Sequence, residues 1–268
     1  MEEFRTMGSM ADKLLNFISS SSDHDANYDI ALHIVKNYAS VRKMNQKQIA
    51  QLCYVSEATI SRFCRFLGFQ DFHDFHHQME RDFSLSDDYS RRLLNLMKGS
   101  SQQAAEYYRN ELVQAMNETV SEALFADAAK AAEHIHDAGH VSIFSHHFLW
   151  DIGRYMQQKL MMAGKYVSAY QTYEKQMEEA GRLDHDSLAV ICTAGGSWFS
   201  RYQSIYDRIL NSGAHQLVMT QNLSSPYLNR ADLVMQCGIS NVDNIGRYCM
   251  LAGADAIILQ YLKKYGDK

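Results

Sequence analysis

Residues 44–69 read MNQKQIAQLCYVSEATISRFCRFLGF, and this stretch decides the fold of the first part of the chain. Asn45 is followed three positions later by Gln48, which is the pattern of a capping box, so a helix is predicted to begin there. This helix runs to Cys53, and after a short turn Ser56 offers a second good N-cap. The stretch therefore predicts two short helices joined by a tight turn.

The second helix has one apolar and one polar face. Its apolar residues follow the i, i+3, i+4, i+7 spacing of a buried stripe, and they are Ile60, Phe63, Cys64 and Leu67. Short hydroxyl residues and two arginines lie on the opposite face: Thr59, Ser61, Arg62 and Arg65. Such a face can reach base edges and phosphates of DNA. An ordinary helical hairpin with a solvated basic face would show the same spacing, so the pattern alone leaves both interpretations open.

The formal net charge of −5 conceals a basic segment. Residues 36–69 contain six basic residues against a single acid, Glu57, which gives a local charge of +5. The basic residues are Lys36, Arg42, Lys43, Lys47, Arg62 and Arg65. A basic surface confined to one region of an acidic protein is what a DNA-binding regulator requires.

Residues 56–75, SEATISRFCRFLGFQDFHDF, resemble the signature of the RpiR family of bacterial sugar-responsive transcription regulators. The resemblance extends upstream to residues 45–50 and implies a DNA-binding helix-turn-helix. Tyr54 departs from the family pattern, which usually has glycine at the turn; a left-handed tyrosine there would cost roughly 1 kcal/mol. The residues expected to contact DNA are Asn45, Gln46, Lys47, Ser56, Glu57, Thr59, Ser61, Arg62 and Arg65.

The second part of the chain has a different pattern, in which apolar runs alternate with helical segments. The runs are residues 141–144, 166–170, 188–192, 216–220 and 233–235. Continuous apolar runs suit strands that are covered on both faces, so the fold class is an all-helical domain followed by a parallel five-stranded α/β sandwich. The expected domains are a helix-turn-helix domain at 10–83, a linker at 84–104 and an α/β domain at 105–268.

Residues 105–265 resemble a sugar isomerase (SIS) domain, the phosphosugar-binding module that follows the helix-turn-helix in RpiR-type regulators. The most specific fragment is TQNLSSPYLNRADLVMQC at residues 220–237. The resemblance implies an effector site in the loops at the carboxyl ends of the strands. The residues expected there are Ser145, His146, His147, Thr193, Gly195, Gly196, Ser197 and Ser224.

These loops depart from the family pattern. Residues 193–198 read TAGGSW, where such domains usually show Ser-x-Ser-Gly-x-Thr. A phosphosugar would have to bind at the N-terminus of a helix starting near Trp198, with positive character supplied by His146 or His147. Alternatively, a larger or less charged ligand stacks on Trp150 or Trp198, or the domain binds nothing and only dimerises.

A sugar-phosphate isomerase is the competing function. It would need a base close to the sugar carbons, and the acids and histidine near the relevant loops are Glu174, Glu178, Glu179 and His185. A helix with several acids is more often a solvated face, and the resembling regulators generally do not catalyse. We therefore expect no catalytic residue and no enzymatic activity.

Bulk properties predict a cytoplasmic protein without a metal or cofactor. No apolar run approaches the ~20 residues that a membrane span requires. The five cysteines form no CxxC pair, so they are expected to be reduced core residues. His73 and His77 have a zinc-chelating i, i+4 spacing, but no third and fourth ligands accompany them.

A single small helix-turn-helix buries too little surface for selective DNA binding, so we expect a homodimer or homotetramer on an inverted-repeat operator. The candidate interfaces are residues 106–136 and a final helix at 247–265. A small metabolite in the α/β domain would then shift the DNA-binding domains and change operator affinity.

Overall fold

The computed structural model describes residues 10–22, 24–80 and 88–266. The chain divides into two compact units between Ser84 and Leu85. Residues 81–83 of the expected helix-turn-helix domain, 84–87 of the expected linker and the last two residues lie outside the described residues. The expected domain bounds therefore stay a prediction.

The secondary structure described for the first unit consists of helices. Its helices are α1 (Met10–Ser20), α2 (Ala26–Lys36), α3 (Tyr38–Val41), α4 (Gln46–Leu52), α5 (Glu57–Phe66) and α6 (Phe72–Glu80). Ile60, Phe63 and Cys64 of α5 are completely buried, and they pack in one apolar core with Ile49 of α4 and Phe75 of α6. The predicted apolar stripe is thus confirmed.

The turn between α4 and α5 contains Tyr54 in a left-handed conformation, with φ +56°. The amide of Val55 closes the turn on the Ala50 carbonyl at 2.9 Å. The Tyr54 side chain is 88% exposed and meets the His33 ring edge-on, with centroids 5.9 Å apart. The left-handed tyrosine considered from the sequence is therefore present, and it carries strain that glycine would avoid.

The second unit is an α/β domain. Its helices are α7 (Arg91–Gly99), α8 (Ser101–Thr119), α9 (Glu122–Asp137), α10 (Phe148–Met162), α11 (Tyr173–Ala180), α12 (Ser197–Arg201), α13 (Gln203–Ser212) and α14 (Gly246–Tyr265). Its strands are β1 (His140–Phe144), β2 (Ser168–Ala169), β3 (Ser187–Thr193), β4 (His215–Thr220) and β5 (Leu233–Gln236). Two short 3-10 helices, Pro226–Arg230 and Val242–Asn244, flank β5.

The strands form one parallel five-stranded sheet, as the sequence predicted, and their order is β2-β1-β3-β4-β5. All seven residues of β3 are buried, and Leu188, Val190 and Cys192 belong to the core formed with α9, α10 and α14. The second strand is shorter than predicted, because only residues 168 and 169 pair with β1. Because all strands are parallel, their carboxyl ends share one edge of the sheet.

The candidate interface segment at 106–136 spans most of α8 and α9. The chain leaves the helical conformation at Val120, and Ser121 caps α9 by accepting a hydrogen bond from the Leu124 amide at 3.2 Å. Serine is a strong N-cap, so a second helix begins there. The predicted final helix is confirmed as α14.

All five cysteines are free and buried, as expected. Within the described ranges no helix is long and apolar enough to span a membrane. In the same part of the chain no group of three or more histidine, cysteine or acidic side chains is arranged to hold a metal ion.

We expect Tyr54→Gly to stabilise the first unit by roughly 0.5–1 kcal/mol, because relief of left-handed strain exceeds the entropy that glycine adds to the unfolded chain. Urea unfolding of the full chain followed by circular dichroism would measure this gain. Both tryptophans, Trp150 and Trp198, lie in the second unit, so the transition seen by their fluorescence should not move.

Ala31→Gly serves as the matched control, because Ala31 lies inside α2 of the same unit, where the backbone is helical and glycine relieves no strain. It should destabilise the first unit by at least about 1 kcal/mol, since the helix gains a flexible residue and the core loses a buried methyl group. A Tyr54→Gly variant that loses as much stability as this control would show that the turn is unstrained.

Candidate functional site

The candidate DNA-binding surface is built on the capped ends of α4 and α5. The Asn45 side chain accepts from the Gln48 amide at 3.0 Å, and Gln48 Oε1 accepts from the Asn45 amide at 2.9 Å, so the predicted capping box is present. Ser56 caps α5 by accepting from the Thr59 amide at 3.2 Å. These caps fix where both helices begin.

Gln46 locks the two helices together. Its Nε2 donates to the Glu57 carbonyl at 2.8 Å and to Ser61 Oγ at 2.7 Å. Two of the residues expected to contact DNA, Gln46 and Ser61, are thus joined to each other across the motif. The sequence showed the helices but no sign of this bond between them.

The arginines of α5 lie on its solvent face. Arg62 and Arg65 are exposed, and their bonds are local, to Thr59 Oγ1 at 3.2 Å and to the Ser61 carbonyl at 3.3 Å. Lys47, at the start of α4, is also exposed. Arg42 differs, because it donates to the carbonyls of Met79 and Glu80 at the end of α6, both at 3.0 Å. Of the basic segment, Arg42 therefore has a structural role in holding α6.

The candidate effector site lies at the carboxyl edge, by which we mean residues 145–147, 194–196, 221–225 and 237–245, the loops after β1, β3, β4 and β5. In the first loop Ser145 and His146 are buried, whereas His147 is half-buried with φ +51°. Burial, followed by the nearby His147 and Arg201, lowers the pKa of His146 from 6.5 to about 3. His146 is therefore neutral, and the expectation that it adds positive character is wrong.

The loop after β3 is held by Thr193, which is completely buried. Its Oγ1 accepts hydrogen bonds from the amides of Gly196 at 3.1 Å and Trp198 at 3.4 Å. Gly196 has φ +85°, and a Cβ there would lie 3.2 Å from Ser225 Oγ, so glycine is required. Because the Gly196 amide is engaged by Thr193, it is not available to a ligand in this conformation.

The loop after β4 closes against the loop after β3. The Gln221 amide donates to the Ala194 carbonyl at 3.0 Å, and Asn222 Nδ2 donates to the Gly195 carbonyl at 3.1 Å. Ser224 is exposed, and its amide donates to Asn222 Oδ1 at 3.0 Å. The structure thus brings Gly195, Gly196 and the Ser224 loop together.

Sequence reasoning missed Arg201 and Gln176. Arg201 is exposed one turn after Ser197, and its Nη1 lies 3.0 Å from Nε2 of His147, which joins the loops after β1 and β3. A guanidinium only donates, so this imidazole nitrogen is the acceptor. Gln176 on α11 donates to the carbonyls of Ser145 at 2.9 Å and Tyr170 at 2.7 Å. For Arg201 a signal was available in the sequence, because an arginine stands four residues after Ser197, at the loop where a phosphate was expected to bind.

The tryptophans proposed as stacking surfaces differ in exposure. Trp198 is completely buried among Phe144, Phe199 and Tyr202, with ring centroids 5.7–6.2 Å apart, so a ligand has no access to it in this conformation. Trp150 is half-buried. The expectation of stacking on Trp198 is therefore wrong, because its ring completes the core under α12 and α13.

Comparisons with known proteins agree with this architecture. The sequence model described as the helix-turn-helix domain of the rpiR family matches residues 13–86. No curated protein sequence matches the chain significantly.

Solved structures share the fold at low identity. The NanR protein of Vibrio vulnificus, solved in complex with ManNAc-6P, has a TM-score of 0.53 and 16% identity, covering 96% of this chain and 92% of that one. The sugar isomerase domain of an RpiR transcription factor from Sphaerobacter thermophilus has a TM-score of 0.52 and 15% identity, covering 62% and 92%.

A phosphoheptose isomerase from Francisella tularensis has a TM-score of 0.53 and 16% identity, covering 62% of this chain and 100% of that one. The second unit thus shares its fold with a domain found in both regulators and enzymes. Residues 13–86 thus match the helix-turn-helix domain of the rpiR family, and the unit that follows them shares its fold with the sugar isomerase domain of the Sphaerobacter thermophilus protein.

Proposed function

We propose that the protein is a DNA-binding transcription regulator whose second unit senses a sugar phosphate or a related anionic sugar derivative. The observation that carries the proposal is the exposed face of α5, with Arg62 and Arg65, inside a domain that matches the rpiR helix-turn-helix. A regulator of this kind binds chromosomal DNA, so its proposed location is the cytoplasm of a bacterial cell.

The roles of the DNA-facing residues differ. Arg62, Arg65 and Lys47 are exposed cations that suit contacts to phosphates or guanine edges. Gln46 and Ser56 position the helices, because their polar groups are engaged within the motif. Asn45, Glu57, Thr59 and Ser61 lie beside them at the helix starts and on the α5 face, within reach of the same groove.

We also propose that two copies bind an inverted-repeat operator as a homodimer or homotetramer. Both candidate interface segments contribute to the core, since α9 and α14 pack on the sheet. Large apolar side chains nevertheless remain exposed on α8, at its C-cap and on α14: Val113, Val120, Leu259 and Leu262. These positions favour α8 and α14 as the surfaces that associate.

An anionic effector would be held mainly by Arg201, together with the Ser197 hydroxyl and the His147 ring. The helix-terminus site expected from the sequence is weak, because α12 has five residues and Thr193 already binds two of the amides. The guanidinium of Arg201 supplies the charge that this loop lacks. The sugar-phosphate complex of the Vibrio vulnificus NanR protein supports this choice of ligand class.

Unpartnered polar atoms favour ligand binding over a purely dimerising role. His146 Nδ1 and Gln176 Oε1 are buried and have no hydrogen-bond partner among the described residues. Gln176 bonds to the Ser145 carbonyl, so both atoms lie beside the first loop of the carboxyl edge. Leaving such groups unbonded costs about 1–3 kcal/mol each, which a ligand or water bound there would offset.

An isomerase is the alternative, and the candidate bases do not favour it. Glu179 is buried, and its Oε1 accepts from Ser142 Oγ at 2.6 Å; hydrogen bonds lower its pKa despite burial. Glu178 is paired with Lys175 and Arg182. His185 lines a cleft of about 300 Å³ at the amino ends of the strands, away from the carboxyl edge.

We expect no aldose–ketose interconversion of sugar phosphates by the purified protein, and turnover would favour the enzyme.

Replacing Arg62 or Arg65 with alanine should weaken operator binding by about 1–3 kcal/mol, roughly 5- to 150-fold, if the residue reads a base. If the arginine contacts only a phosphate, its replacement should make DNA affinity less dependent on salt concentration, and by the same amount for every DNA sequence. Operators selected from random duplexes by the full-length protein provide the DNA for titrations at several salt concentrations.

Arg208→Ala is the control, because Arg208 is an exposed arginine on α13 of the second unit, outside the segments proposed to associate. It should leave operator affinity unchanged. A folded Arg62→Ala/Arg65→Ala double variant that binds as tightly as the original would refute the assignment of α5.

Arg201→Ala should reduce the affinity for a phosphorylated sugar at least about tenfold, because a charge-assisted bond is removed. Thermal shifts and calorimetry with N-acetylmannosamine 6-phosphate, other hexose phosphates and the matching unphosphorylated sugars would measure this. The control is Arg208→Ala, which replaces an exposed arginine on α13. It should bind the phosphorylated sugar as tightly as the original protein does. If no sugar phosphate stabilises the original protein, the ligand-sensing part of the proposal is wrong.

Acid should destabilise the second unit through His146. Its pKa is about 3 in the folded protein and near 6.5 when unfolded, so only the unfolded chain gains a proton between these values. The stabilising contribution is complete above about pH 6.5 and falls by up to about 1.4 kcal/mol per pH unit below it. His146→Phe should lose less stability between pH 7.5 and pH 4.5 than the original, as measured by tryptophan fluorescence in urea.

An identical pH dependence in the His146→Phe variant would mean that His146 titrates normally in the folded state.

A further inference from the structure

The loop after β5, residues 237–245, contains a buried and strained aspartate. Asp243 is 1% exposed, and both Asp243 and Asn244 have left-handed backbones, with φ +54° and +57°. Consecutive non-glycine residues in this region persist only when their surroundings hold them. The loop is therefore kept in a specific conformation by the contacts that Asp243 makes.

Those contacts reach the beginning of the second unit. Asp243 Oδ1 accepts from the Ser90 amide at 2.6 Å, and Oδ2 accepts from the Tyr107 hydroxyl at 3.0 Å. Burial and the bond to Asp243 raise the pKa of Tyr107, so its hydroxyl remains a donor. The Arg92 guanidinium lies 4.5 Å from the Tyr107 ring centre. One carboxylate thus binds both α7 and α8 to the loop after β5.

Ser90 is placed where the chain enters the second unit. It follows the division at Ser84 and Leu85 by a few residues, and its Oγ caps α7 by accepting from the Leu93 amide at 3.1 Å. A shift of Ser90 therefore moves the start of α7.

Gly246, the residue that follows this loop, is bonded to the loop after β4. Gln221, the first residue after β4, is 8% exposed, and its Nε2 donates to the Gly246 carbonyl at 2.7 Å. A Cβ on Gly246 would lie 2.3 Å from that nitrogen, so the two residues are in tight contact. The neighbouring Asn222 bonds to the Gly195 carbonyl of the loop after β3. Hydrogen bonds therefore join Gly195 to Asn222 and Gln221 to Gly246, and the backbone connects Gly246 with Asp243 three residues earlier.

We propose that Asp243 is the positioning residue that couples the carboxyl edge to α7, so that a ligand bound beside the loop after β3 changes the placement of Ser90. The proposal rests on the proposed function for its biological consequence, a change in operator affinity. Physically, the coupling needs two arrangements of the loop after β5: one with Asp243 bonded to Ser90 and Tyr107, and one in which the strained residues relax.

Amide hydrogen exchange of the full-length protein tests the coupling without ligand or operator. We expect Asp243→Asn and Tyr107→Phe to speed amide exchange of residues 88–99 at least threefold, because each variant weakens the hydrogen bonds that hold Asp243 against Ser90 and Tyr107. Asparagine tolerates the left-handed backbone, so the loop is expected to fold. The decisive variant is Gln221→Ala, which removes the bond to the Gly246 carbonyl. It should speed amide exchange of residues 88–99 as the other two variants do.

Asp255→Asn is the matched control, since Asp255 on α14 accepts from the Tyr155 hydroxyl at 2.7 Å in a similar pair elsewhere in the domain. Its exchange at residues 88–99 should equal that of the original protein. The double variant Gln221→Ala/Asp243→Asn should exchange no faster there than Asp243→Asn alone. If Gln221→Ala speeds exchange at 238–246 but leaves 88–99 unchanged, the coupling does not exist.

A second experiment measures operator affinity with and without N-acetylmannosamine 6-phosphate. Asp243→Asn should shift the operator affinity without ligand toward that of the liganded original protein, and the further change caused by the sugar phosphate should fall to a third or less. A full ligand response in Asp243→Asn would overturn the proposal. If the original protein does not respond to the ligand, the effector assignment fails, and the exchange result alone decides the coupling.

Discussion

Five parallel strands end at one edge of the sheet, and this constraint decides where the second unit can do chemistry. The loops after β1, β3, β4 and β5 all leave from that edge, so residues far apart in sequence become neighbours. Gly195 and Asn222 are bonded there, as are His147 and Arg201. A sheet covered by helices on both faces leaves only its ends for a ligand. The candidate effector site follows from the topology.

The first unit could be predicted from sequence almost completely, because its signals are local. The capping box of Asn45 and Gln48 and the stripe through Phe63 lie within a few residues of one another, and each specifies a helix boundary or a buried face. Even the strain at Tyr54 followed from a missing glycine. The bond from Gln46 to Ser61 did not, because it spans two helices whose relative placement no local pattern specifies.

The effector site could be predicted only in outline. The strands and their terminal loops were visible as apolar runs, and Thr193 and Gly196 were placed correctly at one loop. What each group is bonded to depends on contacts between distant segments, such as Asp243 with Ser90 and Gln176 with Ser145. The same limit explains the errors over His146 and Trp198, since burial depends on the packing of α10 to α13 around them.

Strain in the described residues is concentrated where function is proposed. The non-glycine residues with positive φ are Tyr54, His147, Asp243 and Asn244. Each segment is held by a contact from elsewhere in its unit: His33 against Tyr54, Arg201 against His147, and Ser90 with Tyr107 on Asp243. A strained conformation changes more readily when a ligand competes for a contact that holds it. An anion that draws Arg201 away from His147 would therefore remove one of the contacts that hold the strained first loop, and this gives the carboxyl edge a physical means of responding to what it binds.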